Sequence, residues 1–411
     1  MHPKKLSIKD FTYHLPEEKI ALHPVHPRSA SKLLIYDKEA IRQDVYENIA
    51  DHLPKEAVLI FNNTRVIKSR MLFQKESGAV IEIFCLEPQN LIQNYEETLS
   101  QKKSAVWKCL VGKATKWKER YLENKLAING RTILLKAERI QRLTESYLIQ
   151  FTWDADDVTF LEIMENAGQT PLPPYIKRTA NEEDERDYQT VYSKHEGSVA
   201  SPTAGLHFTD EIFQQLRKKD ISTLFTTLHV GAGTFKPVKS ETMEGHHMHS
   251  EWMHISLSFL KDLEEKITKK IISVGTTATR TLESIYWMGN KILNHAHIDI
   301  SDLKIQQWEV YEDTPQHSPR EAVVALQKWM SNRNLEELFI ETEIIIAPGY
   351  SFRVVGGLIT NFHQPQSTLL LLVAALLGDS WKKVYDYALN HNFRFLSYGD
   401  GSLLLACRNS S

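Results

Sequence analysis

The 411-residue sequence predicts an α/β core domain with a second, smaller β-barrel domain inserted near its N-terminal end. Three observations lead there. The chain is too long for one ordinary hydrophobic core, so two domains are the default. From about residue 70 to 155 the text consists of short, alternating, β-branched segments, the pattern of a small barrel or sandwich. On both sides of that stretch apolar strands alternate with amphipathic helical segments, an α/β rhythm. The expected boundaries are residues 1–69 and 156–411 for a discontinuous core and residues 70–155 for the insertion.

Each element follows from local pattern. "AVLIF" (57–61) is a continuous apolar run stopped by Asn62 and Asn63, which reads as a buried strand and its turn. "AVIEIFCLE", "AVWKCLVG", "TILLKAERI" and "SYLIQFTW" supply the strands of the insertion. "TFLEIMENAG" is a helix closed by Gly168, followed by the rigid "TPLPPYIKR". "DEIFQQLRKK" (210–219) has helical period, with Asp210 as the expected N-cap and basic residues at its end. "ISTLFTTLHV" is a strand, and "SFLKDLEEKITKK", "IISVG" and "RTLESIYWM" give helix, strand and helix. Residues 288–335 are polar and read as a helical excursion, with Ser318 and Glu321 forming a capping box before "AVVALQKWM". "TEIIIAPGY", "LITNF" and Leu369–Leu377 return to core-like text.

Composition narrows the function. With 42% hydrophobic and 25% charged residues the chain is that of a folded globular protein. A net charge of −3 carries no bulk signature of nucleic-acid binding, so any polyanion site has to be a local patch. Cys85, Cys109 and Cys407 form no CxxC, and "MHPKKLSIKDF" has no apolar run; free thiols and a cytoplasmic location are expected. Leu369–Leu377 is about half the length a bilayer span requires, so no membrane partner is expected. No internal repeat is visible. GxxxxGK[ST], HExxH and GxSxG are absent, and Gly231-Ala232-Gly233 lacks the third glycine of a dinucleotide loop.

Four segments remain that can carry chemistry. "GHHMHSEWMH" groups His246, His247, His249 and His254 with Glu251. Alternation on a strand would put His247 and His249 on one face and His246 on the other, and no cysteine pair completes a tetrahedron. No metal is therefore expected; a substrate-facing segment and a His-rich surface loop stay open. "SVGTTATRTLES" (273–284) runs from strand through Gly275 and hydroxyls to Arg280 and a helix. Its free N–H groups and the guanidinium suit a carboxylate or phosphate, against ordinary threonine capping as the plainer alternative. "FNNTRVIKSR" places Arg65 and Arg70 near a strand end. "KATKWKER" (113–120) sets cations around Trp117, either to grip RNA phosphates or as a solvated face.

Taken together, "FNNTRVIKSR", "PLPPYIKR", "YQTVYSKHEGSVASPTAGLHFT", "TLHVGAGTFKPV", "HMHSEW", "VGTTATRTLES", "LITNFHQPQSTLL" and "SYGD" resemble, in order, the signature blocks of the S-adenosylmethionine:tRNA ribosyltransferase-isomerase family of queuosine biosynthesis. The resemblance spans Asp10 to Gly401. It implies an α/β core with a smaller β-barrel. It also implies transfer and isomerisation of the ribosyl part of S-adenosylmethionine onto the aminomethyl group of 7-aminomethyl-7-deazaguanine at the tRNA wobble position. Epoxyqueuosine-tRNA, adenine and methionine are the products. The implied partners are S-adenosylmethionine, a consumed co-substrate rather than a cofactor, and a tRNA anticodon loop carrying the modified base. The chain would be a monomer or weak homo-oligomer. The sulfonium acidifies the C5′ hydrogens, so a general base is needed and no metal is.

Carried onto this sequence, the resemblance implies proton transfer by His207, His229, His249, Glu251 or Asp400, without deciding which is the base. Thr276, Thr277 and Arg280 would hold the methionine carboxylate. Arg65, Arg70, Ser198, Pro202, Thr203, Gly205, Gly231, Glu283, Asn361 and His363 complete the implied substrate-binding set. In "GSVASPTAGLHFT" (197–209) the small side chains would let backbone groups approach a flat nucleobase lying against Ser198–Gly205, with His207 at its edge; a tight turn around a buried histidine is the alternative. The chain departs from the family pattern at Ser201, where alanine is usual. Gly356 stands for an acid, Gln364 for an apolar residue and Gln366 for a lysine. A divergent, longer paralogue acting on another acceptor, or a tRNA-binding protein without catalysis, therefore stays open.

Overall fold

The computed structural model describes residues 2–89, 95–231, 238, 240–295 and 297–405. Cys407, Ala232 and Gly233 lie outside the described residues. The chain lays down β1 (Lys32–Asp37), β2 (Ala40–Val45), β3 (Val58–Asn62) and β4 (Thr64–Val66). It then forms β5 (Arg70–Gln74), β6 (Val80–Pro88), β7 (Ser104–Gly112), β8 (Tyr121–Ile128), β9 (Arg131–Arg142), β10 (Tyr147–Trp153) and β11 (Gly168–Gln169). It closes with β12 (His195–Ser198), β13 (Ser222–His229), β14 (Glu251–Ser256), β15 (Ile271–Val274), β16 (Glu337–Thr342), β17 (Gly357–Asn361) and β18 (Gly401–Leu405).

Among the described residues these strands make three sheets. A nine-stranded mixed sheet runs β16-β14-β13-β3-β15-β17-β18-β1-β2, with β13, β3, β15 and β17 mutually parallel at its centre. β3, β15, β17 and β18 are buried at every position, as strands covered on both faces must be. Alternate residues feed two separate cores. Leu34, Val58, Ile60, Leu358 and Leu404 pack under the helices Leu257–Lys266, Thr276–Asn294, Thr368–Leu377 and Ser380–Asn390. Leu33, Leu59, Phe61, Ile359 and Leu403 pack on the other side, against Ile212, Phe213 and Leu216 of the helix Asp210–Lys218. The α/β expectation is met in this layered form.

The seven-stranded sheet, β11-β5-β6-β7-β10-β9-β8, is antiparallel throughout and has its own core of Phe73, Ile83, Trp107, Leu135, Ile149 and Phe151. It curls until β5 approaches β8, yet no ladder joins β8 to β11 among the described residues, so it is a half-barrel rather than a closed one. β11 has only two residues to pair. The helix Phe160–Ala167 lies against both β5 and β8 and fills the open seam with Phe160, Ile163 and Met164.

Three local expectations are corrected. The helix Asp210–Lys218 is capped by Thr209, whose hydroxyl faces Ile212 N at 3.5 Å; Asp210 is its first residue, where its charge suits the helix dipole. Residues 288–335 are not an excursion from their start. The helix Thr276–Asn294 runs through 288–294, and the helix Pro319–Ser331, capped by Ser318 and Glu321 as expected, packs on it with Val323, Leu326 and Met330 buried. Residues 246–250 form no strand, since β14 starts at Glu251, so the alternation of His246, His247 and His249 does not hold. No helix of the described residues is long and apolar enough to cross a membrane.

Candidate active site

The site is built around the start of the helix Thr276–Asn294. β15 ends at Gly275, whose φ of 91° turns the chain sharply into the helix and which offers no side-chain cap. The helix therefore opens with backbone N–H groups beside Thr276 and Thr277, and Arg280 follows one turn on. Arg280 is buried. Its Nε donates to Ile344 O at 3.1 Å and its Nη1 donates to the Glu251 carboxylate, while Nη2 has no hydrogen-bond partner among the described residues. Burial lowers the guanidinium to about 10, which leaves it a cation at neutral pH. A cavity of about 350 Å³ opens here, walled by Thr276, Thr277, Arg280, His249, Glu251, Ile344–Ile346 and Leu369.

Two further cavities adjoin it. One, of about 100 Å³, shares Thr276, Thr277 and Leu369 and is lined by Ser201–Ala204 and by Thr360–Gln364. The other, of about 430 Å³, lies between the half-barrel and the mixed sheet. It is lined by Glu87, Tyr95, Lys108 and the β9–β10 turn on one side, and by His229, Gly231, Trp252 and Glu341 on the other. His249, Glu251 and Glu145 border both this cavity and the first. The three together form a continuous trough.

The structure brings together some of the expected residues. Pro202 and Thr203 line the small cavity, and Thr203 Oγ1 donates to Asn361 Oδ1 at 3.0 Å. Asn361 Nδ2 in turn donates to His207 Nε2 at 3.2 Å. His207 itself stands behind this layer, stacked 4.1 Å from the ring of Tyr46, and does not line any of the three cavities. Gly205 is small for packing: a Cβ there would meet Tyr192 Oη at 1.8 Å. Ser198 Oγ donates to Ala200 O at 2.8 Å and accepts from Val230 N at 2.9 Å, which ties the loop to the end of β13. His363 lines the small cavity with Nε2 2.9 Å from Thr360 Oγ1. His229 stacks on Tyr95 at 4.4 Å and sits 3.3 Å from Thr64 Oγ1. Burial lowers His207, His229 and His363 to about 3, so all three are neutral imidazoles at neutral pH.

Others lie elsewhere. Glu283 accepts from Tyr350 Oη and from the backbone N–H groups of Arg353, Val354 and Val355 at 2.7–3.0 Å; it anchors that loop and borders none of the three cavities. Asp400 accepts from Lys32 N at 3.0 Å and Arg394 N at 2.8 Å, a joint between β1 and the C-terminal turn. Arg65 lies 3.8 Å from Glu196 and Arg70 pairs with Glu82 at 2.8 Å, both away from the trough. Trp117 of "KATKWKER" is buried under the Arg139 guanidinium at 4.7 Å. Of the histidine-rich segment, His246, His247 and His249 line the first cavity together with Glu251, while His254 lies apart, 3.3 Å from Glu337; no group of three or more His, Cys, Asp and Glu able to hold a metal occurs among the described residues. Of the departures from the family pattern, Ser201 and Gln364 reach the trough, both at the small cavity. Gly356 N and Gln366 N donate to Ile271 O and Phe11 O. Glu145, Tyr95 and Ile344–Ile346 were not anticipated, because only the folded chain carries the half-barrel to the edge of the mixed sheet.

Comparison with known proteins covers nearly the whole chain. A family described as queuosine biosynthesis protein matches residues 8–404. The S-adenosylmethionine:tRNA ribosyltransferase-isomerase of Halothermothrix orenii is 35% identical, covering 97% of this chain and all of that protein. The crystal structure of S-adenosylmethionine tRNA ribosyltransferase from Thermotoga maritima is similar at 26% identity over 96% of this chain and all of that one, with a TM-score of 0.45.

Proposed function

The chain belongs to the queuosine biosynthesis protein family, and from that membership we infer that it is an S-adenosylmethionine:tRNA ribosyltransferase-isomerase. It transfers and isomerises the ribosyl moiety of S-adenosylmethionine onto the aminomethyl group of 7-aminomethyl-7-deazaguanine in the tRNA wobble position. Adenine and methionine leave.

The observation that carries the site assignment is the unpartnered Nη2 of buried Arg280 beside an uncapped helix start. Both suit the methionine carboxylate, with Thr276 and Thr277 adding hydroxyls. The small cavity between Ser201–Ala204 and Thr360–Gln364 suits the adenine, with Asn361 and Thr203 among its lining residues. The donor's sugar then faces His249 and Glu251, and we assign proton transfer at C5′ to this pair. His207, His229 and His363, held to about 3, are poorly matched to a general base working near neutrality. Their part is to fix Asn361, the Tyr95 ring and the Thr360 turn. The antiparallel half-barrel, residues 70–155, is read as an inserted domain that closes the acceptor side of the trough. The sulfonium activates the donor, so the reaction calls for no resident metal or cofactor. A cytoplasmic monomer or weak homo-oligomer suits the tRNA anticodon loop as partner.

Mass analysis of tRNA carrying the aminomethyl base, after incubation with the protein and S-adenosylmethionine, tests the reading. The mass gain of the rearranged sugar and equimolar adenine are expected. Adenine release that needs a different acceptor would make the chain a paralogue of other specificity. Retention of the tRNA without turnover would make it a binding protein.

A further inference from the structure

We propose that the end of the half-barrel formed by residues 75–79, 113–120 and 142–146 is the surface on which the tRNA backbone lies, its phosphates held by Lys113, Lys116, Lys118 and Arg142. This rests on the function inferred above, which supplies the tRNA, and goes beyond it by placing the RNA backbone against a surface outside the trough.

Three connections meet at this end. The β5–β6 turn arrives there because Glu82, near the start of β6, pairs with Gly112, the last residue of β7. The β9–β10 turn arrives there because Tyr147 pairs with Cys109 of β7 on one side and Arg142 of β9 on the other. Residues 113–120 carry the chain across the same end, since β10 and β9 stand between β7 and β8. The crossing segment is pinned by its carbonyls. Lys75 Nζ donates to Lys116 O at 2.7 Å, and Arg139 donates to Trp117 O at 2.6 Å and to Ala114 O at 3.5 Å. The Trp117 ring is buried beneath the Arg139 guanidinium, so the segment turns its indole inward and leaves Lys113, Lys116 and Lys118 exposed.

These three stretches hold six Lys and Arg against three Glu, in a chain whose net charge is −3. Glu119 pairs with Lys75 at 2.6 Å, and Arg120 is taken up by Glu138 at 3.1 Å. Lys113, Lys116, Lys118 and Arg142 are exposed and have no acidic partner among the described residues. Their place beside the trough gives them a use. Leu110, three residues before Lys113, and Leu143, which follows Arg142, both line the cavity of Tyr95 and His229 on the acceptor side. At roughly 3.3 Å per strand residue, Lys113 stands about 10 Å beyond that wall. A nucleotide whose base enters the cavity leaves its sugar and phosphates on the rim. Inside, Lys108 is committed to Glu87 at 2.6 Å, and at the sheet edge Lys304 is engaged by Glu341 and Glu343 at 2.9 and 2.8 Å. The unengaged cations lie on the rim. They neutralise phosphates without reading a base, which suits a loop whose base is read within the trough.

The test measures the dissociation constant of the full-length protein for tRNA carrying 7-aminomethyl-7-deazaguanine, and for the same tRNA carrying guanine there, over a series of salt concentrations. The variants are K116Q, K118Q and R142Q, the triple K113Q/K116Q/K118Q, and K261Q as a control on an exposed lysine of the helix Leu257–Lys266. The logarithm of the affinity should fall linearly with the logarithm of the salt concentration. Each cation removed from the rim should reduce that slope by about 0.7–0.9, and the triple variant by about 2, equally for both tRNAs. K261Q should keep the wild-type slope, and the affinity for S-adenosylmethionine alone should be the same throughout. A triple variant with the wild-type slope overturns the proposal. So does a loss confined to the aminomethyl tRNA, which would make the contact one to the base, and so does an equal loss in K261Q, which would reduce the effect to overall charge. Thermal melts matching the wild type exclude misfolding. A wild type that binds tRNA with these slopes yet releases no adenine from S-adenosylmethionine would instead sink the underlying function and leave the surface in place.

Discussion

The guanidinium of Arg280 donates to the carboxylate of Glu251, linking the helix Thr276–Asn294 to the first residue of β14 at the border of the cavities proposed for donor and acceptor. Both side chains are buried, so the pair fixes the position of the carboxylate to which proton transfer is assigned above. E251Q keeps the shape and removes the proton acceptor. Its kcat for adenine release should fall by at least about a hundredfold, the usual scale for losing a positioned base. Melting should also move down, because one partner of a buried pair is removed, at a cost of about 3–5 kcal/mol. Turnover within tenfold of wild type in correctly folded E251Q would remove Glu251 from proton transfer and leave His249 alone.

Glu283 lies on the same helix as Arg280, yet its chemistry is structural. Burial pushes its carboxyl upward while the N–H groups of Arg353, Val354 and Val355 favour the charged form. Glutamine would present an NH₂ group to backbone donors. E283Q should therefore lose about 3 kcal/mol of stability or more, read by urea denaturation. Adenine release per folded molecule should stay within a factor of a few. A stable E283Q with lost turnover would return Glu283 to the substrate-binding set.

Gly197 separates packing from ligand approach in the glycine- and serine-rich loop. Its φ of 135° and its position under the His229–Tyr95 stack both demand glycine: a Cβ would sit 2.5 Å from Tyr95 Cδ1 and 2.9 Å from His229 Nδ1. G197A should push that stack into the acceptor cavity. The apparent KM for tRNA should rise about tenfold or more, the effect expected from misplaced positioning groups. Binding of S-adenosylmethionine, at the far end of the trough, should be spared. Equal losses for both substrates would show a general collapse instead.

The strands and helices were legible in the sequence because burial on both faces leaves continuous apolar runs, as in "AVLIF", and because capping boxes such as Ser318–Glu321 are local. The uncapped helix start was legible for the same reason: Gly275, Thr276, Thr277 and Arg280 are neighbours in sequence. His207 was misplaced since its ring position depends on Tyr46, a residue 161 positions away, as follows from their numbers. Asp400 and Glu283 look like acids of a site until their backbone partners are seen, and those partners come from other segments. Glu145 carries no local signature at all. Its place at the border of two cavities depends on where a curled sheet delivers a turn.

The three deeply buried histidines make stability depend on pH. His207, His229 and His363 titrate near 3 in the folded protein against 6.5 for the ordinary side chain, because burial disfavours the imidazolium. Between those values the unfolded chain binds protons that the folded one refuses, so stability is full above about 6.5 and is lost as pH falls towards 3. Each such histidine contributes a slope of up to about 1.4 kcal/mol per pH unit in that window. H363Q leaves an amide to meet Thr360 and removes one titrating group. Urea denaturation at pH 7, 6 and 5 should give a shallower fall for H363Q than for the wild type, by about one proton's worth between pH 6 and 5. Parallel curves would mean that His363 takes up its proton in the folded state, and that the small cavity beside Asn361 admits enough water to solvate it.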